Sequence, residues 1–181
     1  MRKIAVITWL LCVVAIPAEQ RNGPPPKPLP IGWPEITVYF SPRGGCTEAI
    51  VREIDNACET IRVQAYSFTS PVIAQALIEA QRRGVQVEAV LDEDSNRNPA
   101  RTTGDDIAAA GATVLHDGVH AIAHNKVVII DDAVVITGSF NFSVAAEESN
   151  AENLLVIRDR ELAGKYRANY DRHRAHSAAF R

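Results

Sequence analysis

Residues 124–131 read His-Asn-Lys-Val-Val-Ile-Ile-Asp, and residues 137–141 read Thr-Gly-Ser-Phe-Asn. Two apolar runs in this region, residues 127–130 and 133–136, are separated by an Asp-Asp pair, which favours turns over strand interiors. The pattern therefore predicts a β-hairpin. Because side chains alternate between the two faces of a strand, we expect His124 and Lys126 to share one face, and Ser139 and Asn141 to share a face after the turn.

The side chains that this hairpin would bring together suit a phosphate ester. An imidazole exchanges protons near neutral pH, an ammonium group neutralises phosphate charge, and hydroxyl and amide groups can donate to phosphate oxygens. No group of carboxylates suited to a catalytic metal stands beside them in the sequence. The stretch predicts chemistry at phosphorus without a carboxylate-bound metal.

The spacing of these residues resembles the HKD signature of the phospholipase D superfamily. The pattern is His-x-Lys, four residues, Asp, six residues, Gly-Ser, and Asn two positions after Ser. Six typed positions at fixed offsets are far more specific than a single His or Gly-x-Gly. The alternative is a solvated strand and an ordinary turn, which leaves the shared face unexplained. Residues 65–69, 138–143 and 150–153 also look like the small single-motif bacterial endonucleases of that superfamily.

This resemblance implies a phospholipase D-like α-β-α sandwich, an α/β fold with a mixed central sheet and helices on both faces. It also implies an active site built from two motifs, so a chain with one motif would act as a homodimer. By the resemblance, His124 is the nucleophile in one chain and the general acid in the other. Lys126 and Asn141 would bind phosphate oxygens, Ser139 would support the phosphate pocket, and Glu152 would orient His124.

Other residues are given supporting roles. Asp131 belongs to the signature, but its parity places it on the opposite strand face from Lys126, so we predict a structural role for it, and likewise for Gly138. Arg97 and Arg101 follow a predicted strand, at the end where open α/β sheets place their sites. They are predicted to line the rim of the substrate site, although such a charged run is also typical of a solvated loop.

The length of 181 residues, with 46% hydrophobic and 23% charged residues, is typical of one globular domain. Residues 1–18 have a basic start and a short apolar run ending in small residues, which predicts a secretory signal peptide and a periplasmic or secreted protein. An uncleaved membrane anchor is the alternative, but the run is shorter than a bilayer span. Residues 19–34 are rich in proline and predict a linker. Residues 35–181 would form the phosphodiesterase domain.

The charge balance bears on the substrate. Removal of residues 1–18 would leave 17 basic and 22 acidic side chains, a net charge of −5. This balance does not favour tight, extended binding to nucleic acid, although a phosphodiesterase needs only a local positive patch. We expect non-specific hydrolysis of DNA or RNA. A phospholipase D acting on phospholipid head groups is the first alternative, and a non-catalytic nucleic-acid-binding protein is the second.

Strand and helix patterns alternate along the domain. Strands are predicted at residues 35–40, 61–66, 85–91, 112–115 and 154–157, and helices at 46–58, 72–83, 105–110 and 161–180. Ser70 and Pro71 suit the N-cap and first position of the second helix. Such alternation is typical of a sheet whose central strands run parallel.

The cysteines and histidines outside the motif point to no cofactor. A helix over residues 46–58 would hold Cys46 and Cys58 about 18 Å apart, too far for a disulfide. We expect two separate thiols, with Cys58 buried. His116 and His120 precede His124 at intervals of four, but Gly118 argues against the helix that such a metal site requires. His173 and His176 are expected on the surface of the last helix.

Overall fold

A computed structural model describes residues 34–98 and 100–179 of this chain. The predicted signal peptide and residues 19–33 of the predicted linker lie outside the described residues. None of the helices in the described part combines the length and the apolar character needed to cross a membrane.

The described residues form eight strands and six helices. The strands are β1 (Glu35–Phe40), β2 (Thr60–Ala65), β3 (Gln86–Asp92), β4 (Thr113–Asp117), β5 (Lys126–Ile130), β6 (Val134–Gly138), β7 (Asn153–Arg158) and β8 (Ala178–Ala179). The helices are α1 (Cys46–Asp55), α2 (Pro71–Arg82), α3 (Glu93–Asn96), α4 (Gly104–Ala109), α5 (Val144–Glu148) and α6 (Arg160–His176). Most predicted elements are found within a few residues of their expected bounds.

All eight strands belong to one mixed sheet with the order β1-β7-β6-β5-β2-β3-β4-β8. The pairs β2–β3 and β3–β4 are parallel, and every other neighbouring pair in the described sheet is antiparallel. Parallel pairing follows the βαβ order that the sequence predicts, because the connections through α2 and through α3 and α4 return the chain to the same end. The predicted mixed α/β sheet is confirmed.

Alternation along β5 divides the core between the two faces of the sheet. Val128 and Ile130 belong to the large cluster that also contains buried side chains of α1, α2 and α4. Val127 and Ile129 belong to a second cluster with Ala163 and Tyr170 of α6. Since both faces are covered by helices, β5 is apolar along its whole length after Lys126. The α-β-α layering predicted from the sequence is therefore confirmed.

Local capping signals explain several helix boundaries. The Ser70 hydroxyl accepts from the backbone N–H of Ile73, and Pro71 occupies the first position of α2, as predicted. Helix α3 was expected to be loop; it forms because the Asp92 side chain accepts from Ser95 N and caps it. Helix α6 ends at His176, four residues earlier than expected, and the chain continues into β8.

The two cysteines in the described residues, Cys46 and Cys58, are free thiols, as expected, but the prediction that Cys58 is buried was wrong. Helix α1 ends at Asp55, so Cys58 lies beyond the helix in an exposed turn. Cys46 is the buried cysteine, because it lies on the apolar face of α1 with Ile50 and Ile54. Burial raises the pKa of the Cys46 thiol to about 11.

Candidate active site

Three strand ends meet at one edge of the sheet. β5 begins at Lys126, β6 ends at Gly138 and β7 begins at Asn153, and β6 lies between β5 and β7 and is antiparallel to both. His124 and Asn141 therefore lie just beyond strand ends, where strand alternation does not control the direction of a side chain. The predicted convergence occurs, but it arises from the meeting of strand ends rather than from a shared strand face.

An open cleft of about 380 Å³ lies at this edge of the sheet. Six residues line it, and all six were singled out from the sequence. They are His124, Lys126, Gly138, Ser139, Asn141 and Glu152. The cleft thus combines an imidazole, an ammonium, a hydroxyl, an amide and a carboxylate.

Lys126 is the buried cation of the cleft, with only 7% of its surface exposed. Its Nζ donates to the carbonyl oxygen of His124 at 3.0 Å and lies 5.2 Å from the centre of the Tyr66 ring. Burial lowers the pKa of Lys126, and the negative charge of Glu152 partly opposes that effect. In its ammonium form, Lys126 is placed to donate to an anion such as a phosphate that enters the cleft.

Tyr66 organises the histidine as well as the lysine. Its ring packs edge-on against the His124 ring, with centroids 4.7 Å apart, and its backbone N–H donates to the carbonyl oxygen of Asn125 at 2.9 Å. Tyr66 lies within residues 65–69, which resemble the family, but the sequence predicts no role for it. Its position directly after β2, at a strand end in an α/β sheet, is the signal that could have identified it.

Glu152 and Ser139 form a short hydrogen bond across the cleft. The Ser139 hydroxyl donates to Glu152 Oε2 at 2.6 Å and accepts from the backbone N–H of Asn153 at 3.1 Å. Asn150 Nδ2 donates to the other Glu152 oxygen at 3.1 Å. Within the described residues the His124 ring has no hydrogen-bond partner, so the predicted orientation of His124 by Glu152 stays a prediction. The amide oxygen of Asn141 is buried and likewise has no partner in that part of the chain.

Gly138 allows β6 to approach β7 closely. A Cβ at this position would overlap the carbonyl oxygen of Asn153. Asn153 in turn accepts from the backbone N–H of Ser139, through its carbonyl at 3.1 Å and its side chain at 3.1 Å. The absence of a side chain at Gly138 therefore positions the backbone that carries Ser139 into the cleft.

Asp131 lies at the opposite end of β5 from this cleft. Its carboxylate accepts from the backbone N–H groups of Cys58, Glu59 and Thr60, each at 2.8 Å. Burial raises its pKa, but these three hydrogen bonds outweigh burial and lower it overall. Asp131 thus ties the hairpin turn to the start of β2.

The two arginines predicted for the substrate rim do not line the cleft. Arg97 forms ion pairs with Glu93 at 3.2 Å and Asp94 at 2.8 Å, and it borders a separate small cavity. Arg101 is exposed in the turn before α4. The structure therefore does not bring Arg97 and Arg101 together with His124 within one chain.

Comparisons with known proteins agree with this geometry. The family model described as "Cardiolipin synthase, PLD-like domain" matches residues 50–174. A phospholipase D of Rickettsia felis is 46% identical over 136 residues, which are 75% of this chain and 68% of that protein. A mitochondrial cardiolipin hydrolase of Xenopus laevis is 34% identical over 116 residues, which are 64% of this chain and 55% of that protein.

Two solved structures share the fold over nearly their whole length. The crystal structure of Nuc from Salmonella typhimurium, a phospholipase D family member, has a TM-score of 0.79 and 38% identity, and the match covers 82% of this chain and 99% of that one. NucT from Helicobacter pylori has a TM-score of 0.77 and 27% identity, covering 82% of this chain and 100% of that one. With its single HKD motif and mixed eight-stranded sheet, this chain belongs to the phospholipase D superfamily.

Proposed function

We propose that this protein is a phosphodiesterase that hydrolyses nucleic acid, DNA or RNA, with little preference for base sequence. The observation that carries the proposal is the cleft in which His124, Lys126, Ser139, Asn141 and Glu152 converge. Glu152 is the only carboxylate among the residues that line it, so the donor set favours catalysis by imidazole and ammonium over a carboxylate-bound metal.

The proposed reaction proceeds through a phosphohistidine. The His124 ring is exposed at the cleft and can attack phosphorus, forming a P–N bond while the P–O bond to the leaving group breaks. Lys126 and Asn141 would stabilise the charge on the non-bridging oxygens. Water then attacks the phosphohistidine and regenerates free His124.

This sequence of steps needs a second proton carrier, because the leaving oxygen must be protonated and the attacking water must lose a proton. In the part of the chain that the structure describes, His124 is the only histidine that lines the cleft. We propose that the partner's His124 supplies this function in a two-fold homodimer, in which the same surface of both chains forms the contact.

Nucleic acid is the preferred substrate because residues 65–69, 138–143 and 150–153 resemble the single-motif endonucleases of the superfamily, and because the cleft is open rather than a closed tunnel. Action in the periplasm or outside the cell, after removal of residues 1–18, is part of the proposal.

Phospholipid is the second candidate substrate, and two observations favour it. The relatives at 46% and 34% identity are named phospholipase D and cardiolipin hydrolase. Val119 and Ile122 are 67% and 59% exposed on the loop that leads to His124, and apolar side chains in such a place can contact a lipid surface.

The test is cleavage of plasmid DNA, of RNA and of phospholipid vesicles by the purified protein lacking residues 1–18, in excess EDTA. We expect plasmid cleavage that survives EDTA and is lost in His124→Ala, because no step can replace the nucleophile. Trapping of a substrate fragment joined to the wild-type chain by an acid-labile P–N bond, and its absence in His124→Ala, would identify the intermediate.

Other outcomes decide against parts of the proposal. Head-group release with intact plasmid would establish the phospholipase alternative. Equal activity of His124→Ala and the wild-type protein would exclude this cleft as the active site. The melting temperature is measured in the same EDTA samples, so that loss of activity through unfolding is not mistaken for loss of a catalytic metal.

A further inference from the structure

Four side chains converge at a second place on the same edge of the sheet, apart from the active-site cleft. Asp117 is the last residue of β4, His120 follows in the next loop, and His173 and His176 lie in the last turns of α6. None of these four residues lines the cleft that contains His124. We call them the His-Asp cluster.

The cluster is centred on one buried carboxylate oxygen. Asp117 Oδ2 lies 3.0 Å from His120 Nδ1, 2.8 Å from His173 Nδ1 and 3.2 Å from His176 Nε2, and the Asp117 side chain has no exposed surface. Asp117 also accepts from the backbone N–H of Val119. A carboxylate oxygen has two lone pairs, but three imidazole nitrogens lie within hydrogen-bond distance of Asp117 Oδ2. Hydrogen bonds to this oxygen therefore do not account for all three histidines.

The distances are close to those of a tetrahedral metal site. One ligand atom from each of the four residues lies within 4.8 Å of the others. Bonds of about 2.0–2.1 Å to a central ion place tetrahedral ligand atoms about 3.3 Å apart. The carboxylate-to-nitrogen distances are 2.8 to 3.2 Å, within about 0.5 Å of this value, and the nitrogens need to approach one another by about 1.5 Å at most.

We propose that Asp117, His120, His173 and His176 bind one Zn²⁺ ion in a structural site. Imidazole and carboxylate ligands suit Zn²⁺, whereas Mg²⁺ and Ca²⁺ prefer sites made of oxygen. Four protein ligands complete a tetrahedral shell and leave no open position for catalysis.

The surroundings favour a cation. His173 and His176 are at the C-terminal end of a 17-residue helix, where the helix dipole is negative. A cavity of about 130 Å³ beside Asp117 and His120 is also lined by Asp92, Glu93 and Asp94, which offset the single positive charge of Arg97 there and provide an entry path.

Bound zinc would fasten α6 to the loop that carries the catalytic histidine. His120 and His124 are four residues apart on that loop, and Ala123 N is held by Asp92 at 2.8 Å. On the other side of the cluster, β8 pairs Ala178 with His116 of β4. The site would therefore stabilise the position of residues 118–125 without taking part in the reaction.

The test measures zinc content and thermal stability of the whole protein, purified without a polyhistidine tag and dialysed in metal-free buffer after addition of ZnCl2. We expect one Zn²⁺ per chain and a melting temperature that rises with zinc and falls with EDTA. His176→Ala should lose both effects and still fold, because Ala is the better helix former. His124→Ala is the matched control and should keep both.

Co²⁺ supplies an independent readout, because tetrahedral cobalt with nitrogen ligands absorbs visible light and His176→Ala should lose the band. If the wild-type protein retains no more zinc than His176→Ala does, the proposal is overturned and the four residues form only a hydrogen-bonded cluster. Retention that disappears in His124→Ala would overturn it too, since the metal would then be in the active-site cleft. Neither result depends on which substrate the enzyme cleaves.

Discussion

At the scale of the residue, the burial of Lys126 has the clearest functional consequence. Its ammonium group is held between the His124 carbonyl oxygen and the Tyr66 ring, in a place that is only 7% exposed. Water is largely excluded there, so the positive charge is less screened and interacts more strongly with a phosphate than an exposed lysine does.

We expect Lys126→Met to lower kcat/KM by roughly 100- to 1000-fold, the effect of removing one group that stabilises transition-state charge. Lys165→Met is the matched control, because Lys165 is exposed on α6 and pairs with Glu161. Full activity in Lys126→Met with the same melting temperature as the wild type would contradict this role.

The lowered pKa of Lys126 also predicts the pH profile. Burial favours the neutral amine, so the wild-type rate should decline on the alkaline side at a pH below that expected for an ordinary lysine. Lys126→Arg keeps its charge at all working pH values and should move the decline to higher pH, even if the larger guanidinium lowers the rate. A decline at the same pH in both proteins would assign it to another group.

At the scale of the element, the hairpin of β5 and β6 depends on its turn. Asp131 and Asp132 both have positive φ, at 50° and 48°, and Ala133 N donates to Ile130 O at 2.9 Å. Asp and Asn tolerate this left-handed region better than most residues. The same turn offers the Asp131 carboxylate to three backbone N–H groups, so it joins the hairpin to β2.

Asp131→Ala should lower the free energy of unfolding by about 2 kcal/mol, because it removes three hydrogen bonds and strains the turn. Asp131→Asn keeps the backbone preference and one acceptor, and should lose less. Since the folded pKa of Asp131 is lowered, its charge stabilises the fold above about pH 4, the range of an unfolded Asp, and this gain shrinks as pH falls toward the folded value. Urea unfolding of the wild type and both variants at neutral and acid pH measures these differences in stability. Equal stability of the wild type and Asp131→Ala at neutral pH would contradict the role of Asp131.

At the scale of the whole molecule, the proposed reaction needs a second histidine, whereas His124 is the one histidine that lines the cleft in the described residues. If the two chains share one site, a mixed dimer of one wild-type chain and one His124→Ala chain should be inactive. In an equal mixture of freely exchanging dimers, about a quarter are wild-type pairs, so activity should fall to about a quarter of that of the same total amount of wild-type protein. Independent sites predict about a half. Light scattering on each protein checks that both form dimers.

Much of the fold and of the candidate site could be predicted from local sequence. The cap at Ser70, the Asp-Asp turn and the apolar runs of β5 and β6 depend on neighbours within a few residues. The HKD spacing marked five of the six residues that line the cleft, and the family resemblance added the sixth, Glu152. The end of α1 was harder, because apolar spacing continues to Ala57 although the helix stops at Asp55. That boundary places Cys58 outside the helix, where it is exposed.

The sequence by itself determined most of the strand and helix order, the hairpin, and the residue types of the candidate cleft, because periodicity, capping and motif spacing are properties of short stretches. Only the tertiary structure decided that Lys126 is buried against Tyr66, that Glu152 bonds to Ser139, and that Arg97 is paired elsewhere. It alone brought His173 and His176 to Asp117, across 56 and 59 residues of sequence. Contacts of that kind follow from how α6 packs on the sheet, and no local pattern records that packing.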